Sequence, residues 1–200
     1  MKLILASSSP RRKDLLASFG KPFIIDIPDV DESLLPGEDP SAHVRRLALD
    51  KARTVVTRHD GGLVVAADTV VVLDGLIIGK PGDEADARRM LGALSGRSHQ
   101  VYTGVAVADA AAGTAASRVA CSLVTIASIG EEEIARYVAT GEPLDKAGSY
   151  AVQGLGGKYV SRVNGSLSNV IGLPLEELRE LFLSAGWAAP FPEVPPRENS

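Results

Sequence analysis

The 200-residue chain holds a single cysteine, Cys121. A disulfide within one chain is therefore excluded, which fits a reducing compartment. Cys121 lies in an alternating apolar run and reads as a small buried strand residue rather than a nucleophile. Only three histidines occur, at 43, 59 and 99. Scattered as they are, with one cysteine, they offer no zinc set. Positive charge is also missing in bulk: 21 Lys and Arg stand against 25 Asp and Glu, a net charge of −4. Broad electrostatic binding of duplex nucleic acid is not expected, so an anion held here must be small and locally bound. No apolar run is long enough to cross a membrane, and the one behind Lys2 is too short for a signal peptide. A cytoplasmic location without membrane or stable nucleic acid partners is the expectation. A Walker-type Gly-Lys-Ser/Thr loop and a Gly-x-Ser-x-Gly elbow are both lacking.

What remains is a globular composition, 45% hydrophobic and 23% charged. Ala6-Ser7-Ser8-Ser9-Pro10-Arg11-Arg12 follows an apolar strand at residues 2–6. Ser9 suits an N-cap and Pro10 the first helical position. A helix start has unpaired N–H donors and partial positive charge. With serine hydroxyls and two arginines added, it is prepared for a phosphate chain.

Further along, a short strand is expected at 23–27, then a polar acidic loop containing Glu32. A long helix over 40–58 carries Lys51. An apolar strand at 63–67 is expected to end at Asp68 and Thr69, and a hairpin turning at Asp74-Gly75 follows. Lys80 comes directly after it, then a helix at 83–94. Two long antiparallel strands at 99–108 and 116–126 precede a helix at 131–139. A loop holds Lys146, and glycines 154, 156 and 157 suggest a close backbone approach. A strand at 159–163, a Ser/Asn/Gly-rich passage at 164–172 and a last helix from Pro174 complete the pattern. Residues 1–187 read as a single catalytic domain and 188–200 as a Pro-rich tail. The fold expected is α/β, an elongated mixed β-sheet with flanking helices and two lobes around a cleft.

Asp68 is the most informative residue, because an acid that ends an apolar strand commonly serves a site. Carboxylates with Arg, Lys and a helix start form the set used in phosphoryl chemistry. Glu32 and Asp68 can hold Mg²⁺ and orient water, while cations neutralise phosphate charge. Each residue alone has an ordinary structural explanation: Lys51 solvated or ion-paired, Lys80 ending a hairpin, Gln153 alternating outward.

The blocks Ala6 to Arg12, Ala66-Ala67-Asp68-Thr69-Val70-Val71, Gly79-Lys80-Pro81, Ser95 to Val105 and Asp145-Lys146-Ala147-Gly148 together resemble the Maf family. The resemblance covers about residues 2–185. It implies a nucleoside triphosphate pyrophosphatase that releases a monophosphate and pyrophosphate with a divalent cation, Mg²⁺ or Mn²⁺. It implies a fold similar to inosine triphosphate pyrophosphatases, with a homodimer as a family-level expectation. By resemblance Asp68 is the catalytic acid and, with Glu32, a metal ligand. Arg12, Thr69 and Gln153 fall on substrate-selecting positions, and Ser7, Arg11, Lys51, Lys80 and Lys146 on other cleft positions. Lys146 and Gln153 resemble the branch acting on dTTP and UTP. A neutral amide both donates and accepts, as the imide edge of thymine or uracil requires. Two alternatives stand beside this reading: a nucleotide-binding regulator of septum formation with little hydrolysis, and a purine-directed pyrophosphatase.

Overall fold

Residues 2–186 are described by a computed structural model. A seven-stranded mixed sheet forms its backbone, in the order β2-β1-β3-β5-β6-β7 with β4 paired to β3. Strand β1, Leu3–Leu5, runs parallel to both β2, Ile24–Ile25, and β3, Leu63–Leu73. Strands β5, Ser98–Asp109, and β6, Thr114–Ile126, form the long antiparallel pair, and β7, Val160–Asn164, closes that edge. The Pro-rich stretch assigned to residues 188–200, and position 187 before it, lie outside the described residues.

The organising strand is β3. It does not end at Asp68 and Thr69 but runs through them for 11 residues. On one side it pairs with β5 along nearly its whole length, from Leu63 opposite Asp109 to Val72 opposite Gln100. On the other side it pairs with β1 only at Leu63, Val64 and Val65, and with β4, Leu76–Ile78, only at Val71, Val72 and Leu73. The sheet therefore forks. Between Val65 and Val71 one edge of β3 has no strand beside it, and Asp68 and Thr69 sit in that gap. An Asp interrupts the apolar pattern and has low strand propensity, but the β5 ladder overrides it.

The core divides around the same gap. Below it, the even-numbered face packs Val64 and Ala66 with Ile4 and Ala106 against Ala48, Ala52 and Val55 of helix α2, Pro40–Val56. The odd-numbered face packs Leu63, Val65 and Ala67 with Leu16 of helix α1, Pro10–Ala17, and with Leu178, Leu181 and Phe182 near the C-terminus. Above the gap, Val71 and Leu73 join Leu91 and Leu94 of helix α3, Glu84–Leu94, and Ile134, Tyr137 and Val138 of helix α4, Glu131–Val138. These are the two lobes.

Local chemistry explains the boundaries. Ser9 caps α1, its Oγ accepting from Arg12 N at 3.4 Å, with Pro10 at the first position. Asp39 caps α2 by accepting from Ser41 N and Ala42 N. Asp74 and Gly75 both take positive φ, 53° and 78°, as a two-residue hairpin turn requires. The Ser/Asn/Gly-rich passage is not only loop: it contains helix α5, Leu167–Ile171, capped by Ser166, before α6, Leu175–Ser184. Cys121 is a strand residue, but exposed, because period-two alternation sends it outward with Leu123.

Candidate active site

A cleft of about 840 Å³ opens at the fork. Its lining includes every side chain singled out above: Ser7, Arg11, Arg12, Glu32, Lys51, Asp68, Thr69, Lys80, Lys146 and Gln153. Residues separated by more than 140 positions in sequence thus meet in one cavity. Five segments bring them there. The β1–α1 turn supplies the whole run 6–12; the acidic loop and α2 supply Glu32 and Lys51; β3 supplies the floor; the connection after β4 supplies Lys80; the segment 142–153 supplies the far wall.

Strand alternation aims the floor. Asp68 continues the even-numbered face and meets Lys51 of α2, whose Nζ donates to Asp68 Oδ1 at 2.7 Å. The same Nζ lies 2.7 Å from Glu32 Oε1. Lys51 and Asp68 are both buried, at 7% and 8% exposure, whereas Glu32 is exposed. Among the described residues, Asp68 Oδ2 takes no protein hydrogen bond. Burial works against ionisation of Glu32, but the Lys51 hydrogen bond and the Lys51, Lys80 and Arg12 charges outweigh it, holding its pKa below the usual carboxylate range.

Thr69 faces the opposite side. Its Oγ1 accepts from Arg12 Nη2 at 3.1 Å, and Arg12 Nε donates to Gly172 O at 2.8 Å. Thr103 stands behind, 3.0 Å from Thr69 Oγ1 and donating to Asn169 O at 2.9 Å. Arg12 is therefore fixed by β3 and the end of α5 together. Burial lowers its pKa, with the nearby Asp68 carboxylate opposing that effect. Ser7 is buried in the turn and its Oγ accepts from Ser9 N at 3.1 Å. The far wall carries Lys146, ion-paired with Asp145; the ammonium holds the Asp145 carboxyl below its ordinary range.

The profile of the Maf-like protein family matches residues 2–185. The chain belongs to the Maf family. Among curated relatives, the dTTP/UTP pyrophosphatase of Anaeromyxobacter dehalogenans strain 2CP-1 is 52% identical over 192 residues, covering 95% of this chain and 97% of that protein. The dTTP/UTP pyrophosphatase of Shewanella denitrificans is 51% identical over 190 residues, covering 91% and 95%. Among solved structures, the Staphylococcus aureus Ham1 protein aligns with a TM-score of 0.49 and 16% identity, covering 93% of this chain and 100% of that one.

Within this Maf chain, several lining or supporting residues had no sequence signal. His43 and Tyr150 line the cleft, and Asn169 is fully buried with its Nδ2 donating to Val101 O and Ser122 Oγ. Glycines 156 and 157 do meet close neighbours, but these are Tyr137 and Val152 of the protein itself. A divalent cation has no cluster of three or more His, Cys, Asp or Glu among the described residues. Two carboxylates, Glu32 and Asp68, nevertheless converge on one ammonium at the cleft. That donor set suits Mg²⁺ or Mn²⁺, which commonly take one or two carboxylates and complete their shell with water and substrate phosphates.

Proposed function

We propose that this protein hydrolyses dTTP and UTP to the nucleoside monophosphate and pyrophosphate. The observation that carries the chemistry is the juxtaposition, across one cleft, of the Ser7–Arg12 turn with the Lys51–Asp68 pair. A phosphate chain seated on the turn would meet Arg11, Arg12 and Lys80, cations that neutralise charge on phosphate oxygens. Water attacks phosphorus as Asp68 accepts its proton; the α–β bridge breaks and the bridging oxygen leaves with pyrophosphate. Lys51 fixes Asp68 through Oδ1 and leaves Oδ2 free to take that proton. Glu32 and Asp68 would hold a divalent cation, Mg²⁺ or Mn²⁺, which when bound supplies further neutralisation of phosphate charge.

The choice of base rests on the relatives' activity and on the far wall. Gln153 offers one donor and one acceptor to an imide edge, and Lys146, Thr69 and Arg12 complete the substrate-selecting set. The same logic extends to modified pyrimidine nucleotides whose imide edge is intact, a housecleaning role. We place this work in the cytoplasm, in keeping with the lone cysteine, and the family resemblance supports a homodimer.

A panel of nucleotides with product identification tests the reading. UTP and dTTP should be turned over best, yielding monophosphate and pyrophosphate in equal amounts. Equal or faster hydrolysis of 7-methyl-GTP or of inosine triphosphate would overturn the base assignment. Tight binding without turnover would instead favour a regulatory role.

A further inference from the structure

Gln153 makes no side-chain hydrogen bond of its own among the described residues, and it is exposed to the cleft. Its position is therefore set by its backbone. That backbone is held on both sides by one polar unit. Two residues before Gln153, Ala151 N donates to Tyr137 Oη at 3.2 Å. Two and three residues after it, Leu155 N donates to Glu142 Oε2 and Gly156 N to Glu142 Oε1, both at 2.9 Å. The unit is closed by Tyr137 Oη donating to Glu142 Oε1 at 2.7 Å.

The glycines of this segment are what allow the approach. A Cβ on Gly154 would lie 2.6 Å from Glu142 Oε2, and one on Gly156 would lie 2.3 Å from Tyr137 Oη. Gly154 also has a φ of 127°, which other residues rarely adopt. Burial opposes ionisation of Glu142, but two backbone N–H groups and the tyrosine hydroxyl outweigh it and keep its pKa below the ordinary range. Glu142 also begins the turn Glu142–Asp145 that leads directly into Lys146. One carboxylate thus ties together the two segments that form the far wall.

We propose that Glu142, with Tyr137, is a specificity-determining positioning residue: it sets Gln153 and Lys146 at the distance a pyrimidine base requires. The inference rests on the reading of Gln153 as a base-recognising residue. Glu142→Gln keeps the size of the side chain but turns an amide donor toward a backbone donor, which frees the segment.

The experiment compares kcat and KM for UTP and for CTP, a pyrimidine nucleotide of similar size whose base lacks the imide N–H, in wild type, Glu142→Gln, Tyr137→Phe and Gln153→Ala. The expected result is a fall of about tenfold in the UTP/CTP ratio of kcat/KM for Glu142→Gln. It should come from a raised KM for UTP, with kcat and the CTP rate little changed. Tyr137→Phe should shift the ratio the same way by a smaller factor, and it reads the proposal if Glu142→Gln does not fold. An equal loss for both nucleotides would mean a structural role alone and would overturn the proposal. So would an unchanged ratio in Glu142→Gln and Tyr137→Phe while Gln153→Ala lowers it, an outcome that leaves the role of Gln153 intact. A ratio unaffected by Gln153→Ala would overturn both.

Discussion

Asp68 shows how one residue takes its meaning from neighbours far away in sequence. Its strand holds it flat on the sheet, α2 presents Lys51 to one oxygen, and the fork leaves the other facing the cleft. Asparagine keeps the acceptor for Lys51 but cannot take a proton from water. Asp68→Asn should therefore lower kcat by at least about a hundredfold. Nucleotide affinity, measured by calorimetry on the variant, should change by only a few fold. A near-wild-type rate would remove Asp68 from the reaction. The opposite neighbour on β5 matters as much. Gly104 pairs with Asp68, and a Cβ there would lie 2.1 Å from Val44 O of α2. Glycine thus lets the helix backbone settle on the sheet, two turns before Lys51. Gly104→Ala must push α2 away, at a cost of about 3 kcal/mol in urea unfolding. The fraction still folded should be nearly inactive, since Lys51 moves with the helix.

At the scale of elements, the acidic loop that carries Glu32 is pinned to α2 by a second carboxylate. Glu38 accepts two bonds from Arg46, at 2.7 and 2.8 Å, and one from Leu35 N, while Arg46 also donates to Ser33 O. The arginine hydrogen bond, with help from His43 and the Leu35 N–H, brings the Glu38 pKa down to about 2. A carboxyl depressed on folding stabilises the native state above its unfolded pKa, near 4.5. That contribution is lost as pH falls from there through 2. Glu38→Gln should be less stable than wild type at neutral pH, and the gap should narrow in acid unfolding curves below pH 4.5. Activity should fall as well, because Glu32 loses its anchor. Elements of this kind were legible in sequence where local chemistry decides them. Ser9-Pro10 starts α1 and Asp74-Gly75 turns the hairpin, each as the sequence predicts, and α2 begins at residue 40, where the long helix is expected. The continuation of β3 through Asp68 was not, because only pairing with β5 holds it. Helix α5 has five residues and too little periodicity to announce itself. The Lys51–Asp68 pair joins a helix to a strand across 17 positions, and nothing local specifies that meeting. The candidate residues themselves were legible as a set; their pairing and facing were not.

Across the whole molecule, the cleft draws side chains from both lobes, so a bound nucleotide should stabilise the fold as a unit. A non-hydrolysable UTP analogue at 100 times its Kd with Mg²⁺ should add about 2.7 kcal/mol. Chelation should remove most of the resulting rise in Tm if Glu32 and Asp68 hold the cation; a rise untouched by chelator would rule that cation site out. The forked sheet has a further consequence, for the order in which the chain assembles. Both walls hang from β3, and β3 is held straight across the gap only by β5, which begins some 25 residues beyond its end. The binding pocket cannot exist until this long-range ladder has closed. A nucleotide then has nothing to grip in the folding transition state. Stopped-flow refolding should proceed at one rate with or without it, and the ligand's whole effect should appear as slower unfolding.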